Sequence, residues 1–169
     1  KRARLVEIVK QRSFQEGPEM KLASGKTSTF YFNMKPTMLD PEGAALIAEL
    51  MLDAIAADNA DLVGGLEMGA VPIASAIAAV SHVQGRPVGA FFVRKQAKEH
   101  GTQSLVECLV RGDTMKDKRV VIVEDVTTTG GSALKAAKAL EAEGAKIVRV
   151  LTIVDRLDGA ADAFRDAGL

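Results

Sequence analysis

Beyond Leu62 the chain alternates between short runs of branched apolar residues and longer stretches at helical spacing, and few folds accept that alternation. Residues 62–66, 87–93, 119–124 and 146–154 read as strands, with 106–110 as a short additional one. Residues 70–83 and 131–143 read as helices, and a last helix begins near Asp158. Strands and helices in turn predict an α/β fold, a central mostly parallel sheet flanked by helices. Ligands of such sheets bind beyond the carboxyl ends of the strands. Three segments gather there: 64–70, 94–104 and 124–132.

The amino-terminal part follows other rules. Leu5, Val6, Ile8 and Val9 recur at helical spacing, which predicts a helix over 2–13. Residues 14–35 read as a hairpin, with Ala23-Ser24-Gly25-Lys26 as its turn and Phe30-Tyr31-Phe32 on its second strand. Asp40 and Pro41 are a cap and a first helical residue, opening a helix to about Ala57. The expected organisation is one domain over 1–169, with 1–40 forming a helix and a small hood and 41–169 the core.

Charge narrows the function. Lys plus Arg and Asp plus Glu are 22 each, which disfavours a general nucleic-acid binder but leaves room for a local basic cluster. One cysteine, Cys108, and two histidines, His82 and His100, cannot assemble a Cys/His metal cluster. Cys108 reads as an inert buried thiol. The first residues lack the apolar core of a signal peptide, and no apolar stretch is long enough to span a bilayer, so the expected location is the cytoplasm.

The segment richest in chemistry is Val120-Val121-Ile122-Val123-Glu124-Asp125-Val126-Thr127-Thr128-Thr129-Gly130-Gly131-Ser132. A buried strand runs into two carboxylates, which suit a sugar diol. Hydroxyls and glycines follow at the start of a helix, where free N–H groups and the positive dipole end suit a phosphate. A strand end with a helix cap explains one acid; it leaves the second acid and three threonines without a purpose. A Walker loop would need Lys after Gly131, and Gly64-Gly65-Leu66-Glu67-Met68-Gly69 lacks the dinucleotide-binding spacing. A second segment, Arg94-Lys95-Gln96-Ala97-Lys98-Glu99-His100-Gly101, sets three cations and an imidazole directly after a buried strand. Either it is a solvated loop or it closes over an anionic leaving group and excludes water.

Together these motifs resemble those of the orotate phosphoribosyltransferases, a branch of the type I phosphoribosyltransferases. The acid–hydroxyl loop is shared across the superfamily. The Arg-Lys-x-x-Lys-x-His-Gly segment, Ser24-Gly25-Lys26 and Phe30-Tyr31-Phe32-Asn33 are particular to the orotate branch. The resemblance extends from the hairpin to Asp155-Arg156. It implies transfer of a 5-phosphoribosyl group from 5-phosphoribosyl 1-diphosphate to orotate, giving orotidine 5′-monophosphate and pyrophosphate, with Mg²⁺ carried mainly by the diphosphate. It further implies that Glu124 and Asp125 hold the ribose hydroxyls, that Thr127, Thr128, Thr129, Gly130, Gly131 and Ser132 cradle the 5-phosphate, and that Val126 belongs to the same 5-phosphoribosyl 1-diphosphate site. Gly69 would offer its backbone to pyrophosphate. Arg94, Lys95, Lys98 and His100 match a catalytic loop contributed to a neighbouring subunit, hence a homodimer. Thr128, Arg156, Tyr31 and Phe32 match the orotate-binding positions, and Lys26 is a further hood candidate.

Four positions, at three places in the chain, depart from the branch's pattern. Ala23 stands where many relatives carry Lys, Glu67-Met68 where some carry Tyr-Lys, and Cys108 where glycine often follows the acid at 107. Arg156 also has a plainer reading, a surface pair with Asp155 or Asp158. Three other functions compete: transfer to a different base, a sensor of the diphosphate that catalyses nothing, and an unrelated sugar-phosphate binder. The basic segment favours an enzyme over a sensor.

Overall fold

The computed structural model describes residues 1–21, 27–96, 104–107, 109–110 and 112–169. The hairpin turn with Lys26, the catalytic-loop candidates Lys98 and His100, and Cys108 lie outside the described residues.

Helix α1 (Arg2–Arg12) leads into an antiparallel pair, β1 (Phe14–Lys21) and β2 (Thr27–Phe32), which forms a sheet of its own. A single turn, α2 (Lys35–Met38), follows; the sequence reading had no element there. The remaining elements are α3 (Pro41–Ala54), β3 (Leu62–Leu66), α4 (Ala70–Val83), β4 (Gly89–Val93), β5 (Val106–Glu107), β6 (Arg119–Thr127), α5 (Gly131–Ala142), β7 (Lys146–Asp155) and α6 (Ala160–Asp166). The five-stranded sheet has the order β5-β4-β3-β6-β7. All neighbours in it are parallel except β5, which runs antiparallel to β4.

The central strand explains the layers. Along β6, Val121 and Val123 pack into one core with Ile73, Ala74 and Ile77 of α4; Val120 and Ile122 pack into another with Ala136 and Leu140 of α5. Period-two alternation in a strand covered on both faces sends successive residues to opposite cores. All four are fully buried. Truncating one to Ala would cost about 2–4 kcal/mol. The covering helices carry the matching period: Ala133, Ala136, Ala137 and Leu140 line the inner side of α5. Asp40 caps α3 as its sequence predicts, its Oδ2 accepting the Gly43 N–H at 2.9 Å.

The hairpin sits on the core through a few specific contacts. Phe14, Phe30 and Phe32, all on the hairpin, form an aromatic trio with centroids 5.2–6.2 Å apart, and Phe32 packs against the core. The buried hydroxyls of Ser13 and Thr37 meet at 2.6 Å. An apolar groove of about 650 Å³ runs between α1, α3, β7 and the hairpin, and no residue of β6 lines it.

Candidate active site

Strand β6 is longer than its apolar run suggests. Pairing with β7 continues through Glu124↔Thr152, Val126↔Val154 and Thr127↔Asp155, so both acids lie inside the ladder and the loop proper begins at Thr128. Ladder hydrogen bonds, invisible to hydropathy, carry the strand three residues further.

This placement separates the two carboxylates, because adjacent strand residues face opposite ways. Glu124 lines a small cleft of about 30 Å³ together with Val126, Thr127, Thr128, Gly130 and Ser132. Asp125 faces the segment before α4. A Cβ built on Gly69 would fall 2.7 Å from Asp125 Oδ1, so only glycine admits this approach. Asp125 Oδ1 also accepts the Val126 N–H at 2.8 Å. The acid pair thus addresses two loops at once, one at the start of α5 and one at the start of α4.

Glu124 is 5 % exposed, and its Oε1 is buried without a hydrogen-bond partner among the described residues. Burial first, and the nearby Asp125 charge second, push its carboxyl up to about 8. Thr127 is 4 % exposed and its Oγ1 is likewise unpartnered. A buried oxygen without a partner costs about 1–3 kcal/mol. Two of them bordering one cleft point to a polar ligand that supplies the missing hydrogen bonds.

The helix start completes the cleft. Gly130, in the left-handed region at φ 82°, turns the chain into α5, and no side chain caps the helix. A Cβ on Gly130 would also lie 2.7 Å from the Phe164 ring. The first turn carries no acid, so its N–H groups are left for an anion. Thr128 is half-buried, and Thr129, Gly131 and Ser132 are exposed at the mouth.

The basic segment starts beside this cleft. The Lys95 N–H donates to Glu67 Oε1 at 2.8 Å, and Lys135 Nζ, from the first turns of α5, donates to the Lys95 carbonyl at 2.7 Å. The Lys95 peptide is therefore held between the Glu67 loop and α5 while its side chain is exposed. Arg94 is a root contact: its N–H donates to Leu105 O at 2.8 Å and its guanidinium lies 3.7 Å from Glu107. Glu67, Lys135 and Glu107 carry no local signal in the sequence, since each acts on a segment distant along the chain.

The hood side is arranged by alternation in β2. Ser28, Phe30 and Phe32 are half-buried, whereas Tyr31 is 40 % exposed on the other face. Tyr31 and Phe32, read together from the sequence, therefore point to opposite sides. Arg156 departs from the plain surface pair. Its side chain is 5 % exposed, and its Nε lies 3.6 Å from Asp158. Its Nη2 donates to Ser28 Oγ at 2.9 Å and its Nη1 to the Phe30 carbonyl at 3.3 Å, with the guanidinium 4.3 Å above the Phe30 ring. Its backbone N–H donates to Thr127 O at 2.9 Å, which ties it to the acid strand. Ser28 carries no local signal in the sequence, although period-two spacing before Phe32 places it on the same face as Phe30, which stands out there only as part of the aromatic strand.

Among the described residues no three His, Cys, Asp or Glu side chains converge as a metal cage, and no helix is long and apolar enough to cross a membrane.

Known proteins share this architecture and sequence. Residues 37–164 match the phosphoribosyl transferase domain. The chain is 61 % identical to orotate phosphoribosyltransferase of Bradyrhizobium diazoefficiens, over 99 % of this chain and 89 % of that protein. Orotate phosphoribosyltransferase of Mycobacterium tuberculosis, crystallised with Fe(III) dicitrate, superposes with a TM-score of 0.83 at 42 % identity, covering 99 % of this chain and 91 % of that one. The same enzyme crystallised with 5-phospho-α-D-ribosyl 1-diphosphate gives 0.78 at 38 % identity, with the same coverage. The chain belongs to the phosphoribosyl transferase family and, within it, to the orotate phosphoribosyltransferases.

Proposed function

We propose that the protein transfers the 5-phosphoribosyl group of 5-phosphoribosyl 1-diphosphate to orotate, releasing orotidine 5′-monophosphate and pyrophosphate, a step of pyrimidine nucleotide synthesis. One observation carries the donor site. The buried, unpartnered Glu124 oxygen shares its cleft with the open start of α5. A ribose hydroxyl supplies the hydrogen bond Glu124 lacks, and the 5-phosphate takes the free N–H groups of Gly131 and Ser132. The named solved relative holding the same diphosphate supports the reading.

Bond breaking at the anomeric carbon leaves positive charge on the ribose and negative charge on pyrophosphate. Asp125, in contact with Gly69, holds the sugar against the α4 start, where backbone N–H groups meet the departing anion. Lys95, Lys98 and His100 bring further positive or proton-bearing groups to it, and Arg94 sets the root of their segment. Mg²⁺ would be held mainly by the diphosphate and would supply positive charge against the leaving anion; with two carboxylates nearby and no three ligands converging among the described residues, the donor set fits an ion that relies on substrate oxygens. Arg156 receives the orotate carboxylate and Thr128 the ring, with the hairpin as the wall. A homodimer in which each copy lends its basic segment to the other, and a cytoplasmic location, complete the reading.

The test is consumption of a panel of bases (orotate, uracil, adenine, hypoxanthine) with Mg²⁺ and the diphosphate. Use of orotate alone is expected; turnover of another base in preference to it overturns the assignment. Lys98→Ala should lower kcat by about two orders of magnitude, the usual loss for one preorganised charge contact. Turnover near that of the unmodified protein would remove Lys98 from the mechanism.

A further inference from the structure

We infer that Ser28 is a positioning residue for orotate selection: it sets the orientation in which Arg156 meets the substrate carboxylate. This rests on the reading of Arg156 as the carboxylate contact.

A serine hydroxyl has one proton and two lone pairs. At Ser28 all three are engaged. The hydroxyl donates to the Phe30 carbonyl at 2.8 Å and accepts the Phe30 N–H at 3.2 Å, so its strand's own backbone fixes the rotor. The remaining lone pair takes Arg156 Nη2 at 2.9 Å. Ser28 is therefore a fixed acceptor.

The guanidinium is held on three sides. Nη1 donates to the Phe30 carbonyl, the flat face lies on the Phe30 ring, and Nε faces Asp158. Of its five N–H groups, two are hydrogen-bonded and the buried Nε–H has only the longer ion pair with Asp158, which leaves one on Nη1 and one on Nη2 for a ligand. Two N–H groups on neighbouring nitrogens are what a planar carboxylate takes in a forked contact. Asp158 is the competitor. With Nε already 3.6 Å from its carboxylate, a guanidinium released by Ser28 turns toward Asp158, and the fork is spent inside the protein. Ser28 thus favours a carboxylated pyrimidine over one lacking the group, because it keeps the fork unspent.

Steady-state kinetics of the intact protein test this. Ser28→Ala should raise KM for orotate about tenfold, as expected for losing one charge-assisted hydrogen bond, while KM for the diphosphate moves less than about twofold. Ser28→Thr, which keeps the hydroxyl, should restore most of the loss. Adding Asp158→Asn to Ser28→Ala should recover part of it, because the competing anion is gone. Should Ser28→Ala be insoluble, Ser28→Cys keeps the volume with a weak acceptor and should show the same split. Equal changes in both KM values, or no rescue by Thr, overturn the inference. Arg156→Ala separates the two layers. If it leaves KM for orotate unchanged, the Arg156 reading falls and the inference with it. If it raises that KM while Ser28→Ala does not, only the inference falls.

Discussion

The acid strand with its loop and the amino-terminal hairpin form the two walls of one candidate site by opposite means. Strand β6 lies between β3 and β7, covered by helices on both faces, and its acids are held by a continuous ladder. The hairpin is a separate two-stranded sheet, pinned within itself by its aromatic trio and joined to the core by Phe32, by the buried Ser13–Thr37 hydroxyl pair at its base and by the Arg156 contacts. Two strands alone are marginal in water, so their placement depends on those contacts. On the proposed function, the sugar-phosphate side is built into the core, while the base side is an addition that a few residues can retune without disturbing the sheet.

Changes on either side should break or sharpen that contrast. The largest effect is expected at Gly130. Valine there must adopt a left-handed backbone and enter the Phe164 ring, which would cost about 3–5 kcal/mol. Chemical denaturation should show it, and loss of diphosphate affinity should accompany it. Phe30→Ala should act differently. It removes the ring under Arg156 and one member of the trio, so KM for orotate should rise about tenfold, with a smaller fall in denaturation midpoint than for Gly130→Val. A larger stability loss from Phe30→Ala would mean that the hairpin is as integral as β6.

Glu124 sharpens the contrast through pH. Its folded-state pKa, up to about 8, lies above the ordinary carboxylate value. Between the two, the folded protein holds a proton that the unfolded chain has released. Stability from this group is therefore present at low pH and lost as pH rises from about 4.5 to about 8. Glu124→Gln should flatten that fall, measured as the denaturation midpoint of both proteins across the window. Parallel slopes would show that Glu124 is ionised throughout. The smallest effect is expected at Ser13→Ala, which strands the buried Thr37 hydroxyl at a cost of about 1–2 kcal/mol while leaving KM for the diphosphate unchanged.

Much of this was legible along the chain. The apolar alternation placed β3, α4, β6, α5 and β7 within a few residues, and Asp40-Pro41 marked the start of α3. Boundaries failed where pairing or capping outweighed composition. Strand β6 runs to Thr127 because β7 pairs with it, α3 stops at Ala54 before the polar turn, and α2 forms from a stretch with no helical period. At the site, Glu124, Asp125 and the hydroxyl–glycine run stood out because each is unusual beside its immediate neighbours. The contacts of Glu67, Lys135, Ser28 and Phe30 did not, because their partners are distant in sequence.

The one-dimensional pattern by itself determined the sheet class, the acid–hydroxyl loop and the helix start that follows it, since period, turn chemistry and capping act over a few residues. Tertiary structure alone decided that the adjacent acids face different loops, that Gly69 must stay bare beside Asp125, and that Arg156 reaches Ser28 across 128 positions. Those outcomes depend on strand order and on which faces meet, and hydrogen bonds and close packing settle them only after the layers have come together.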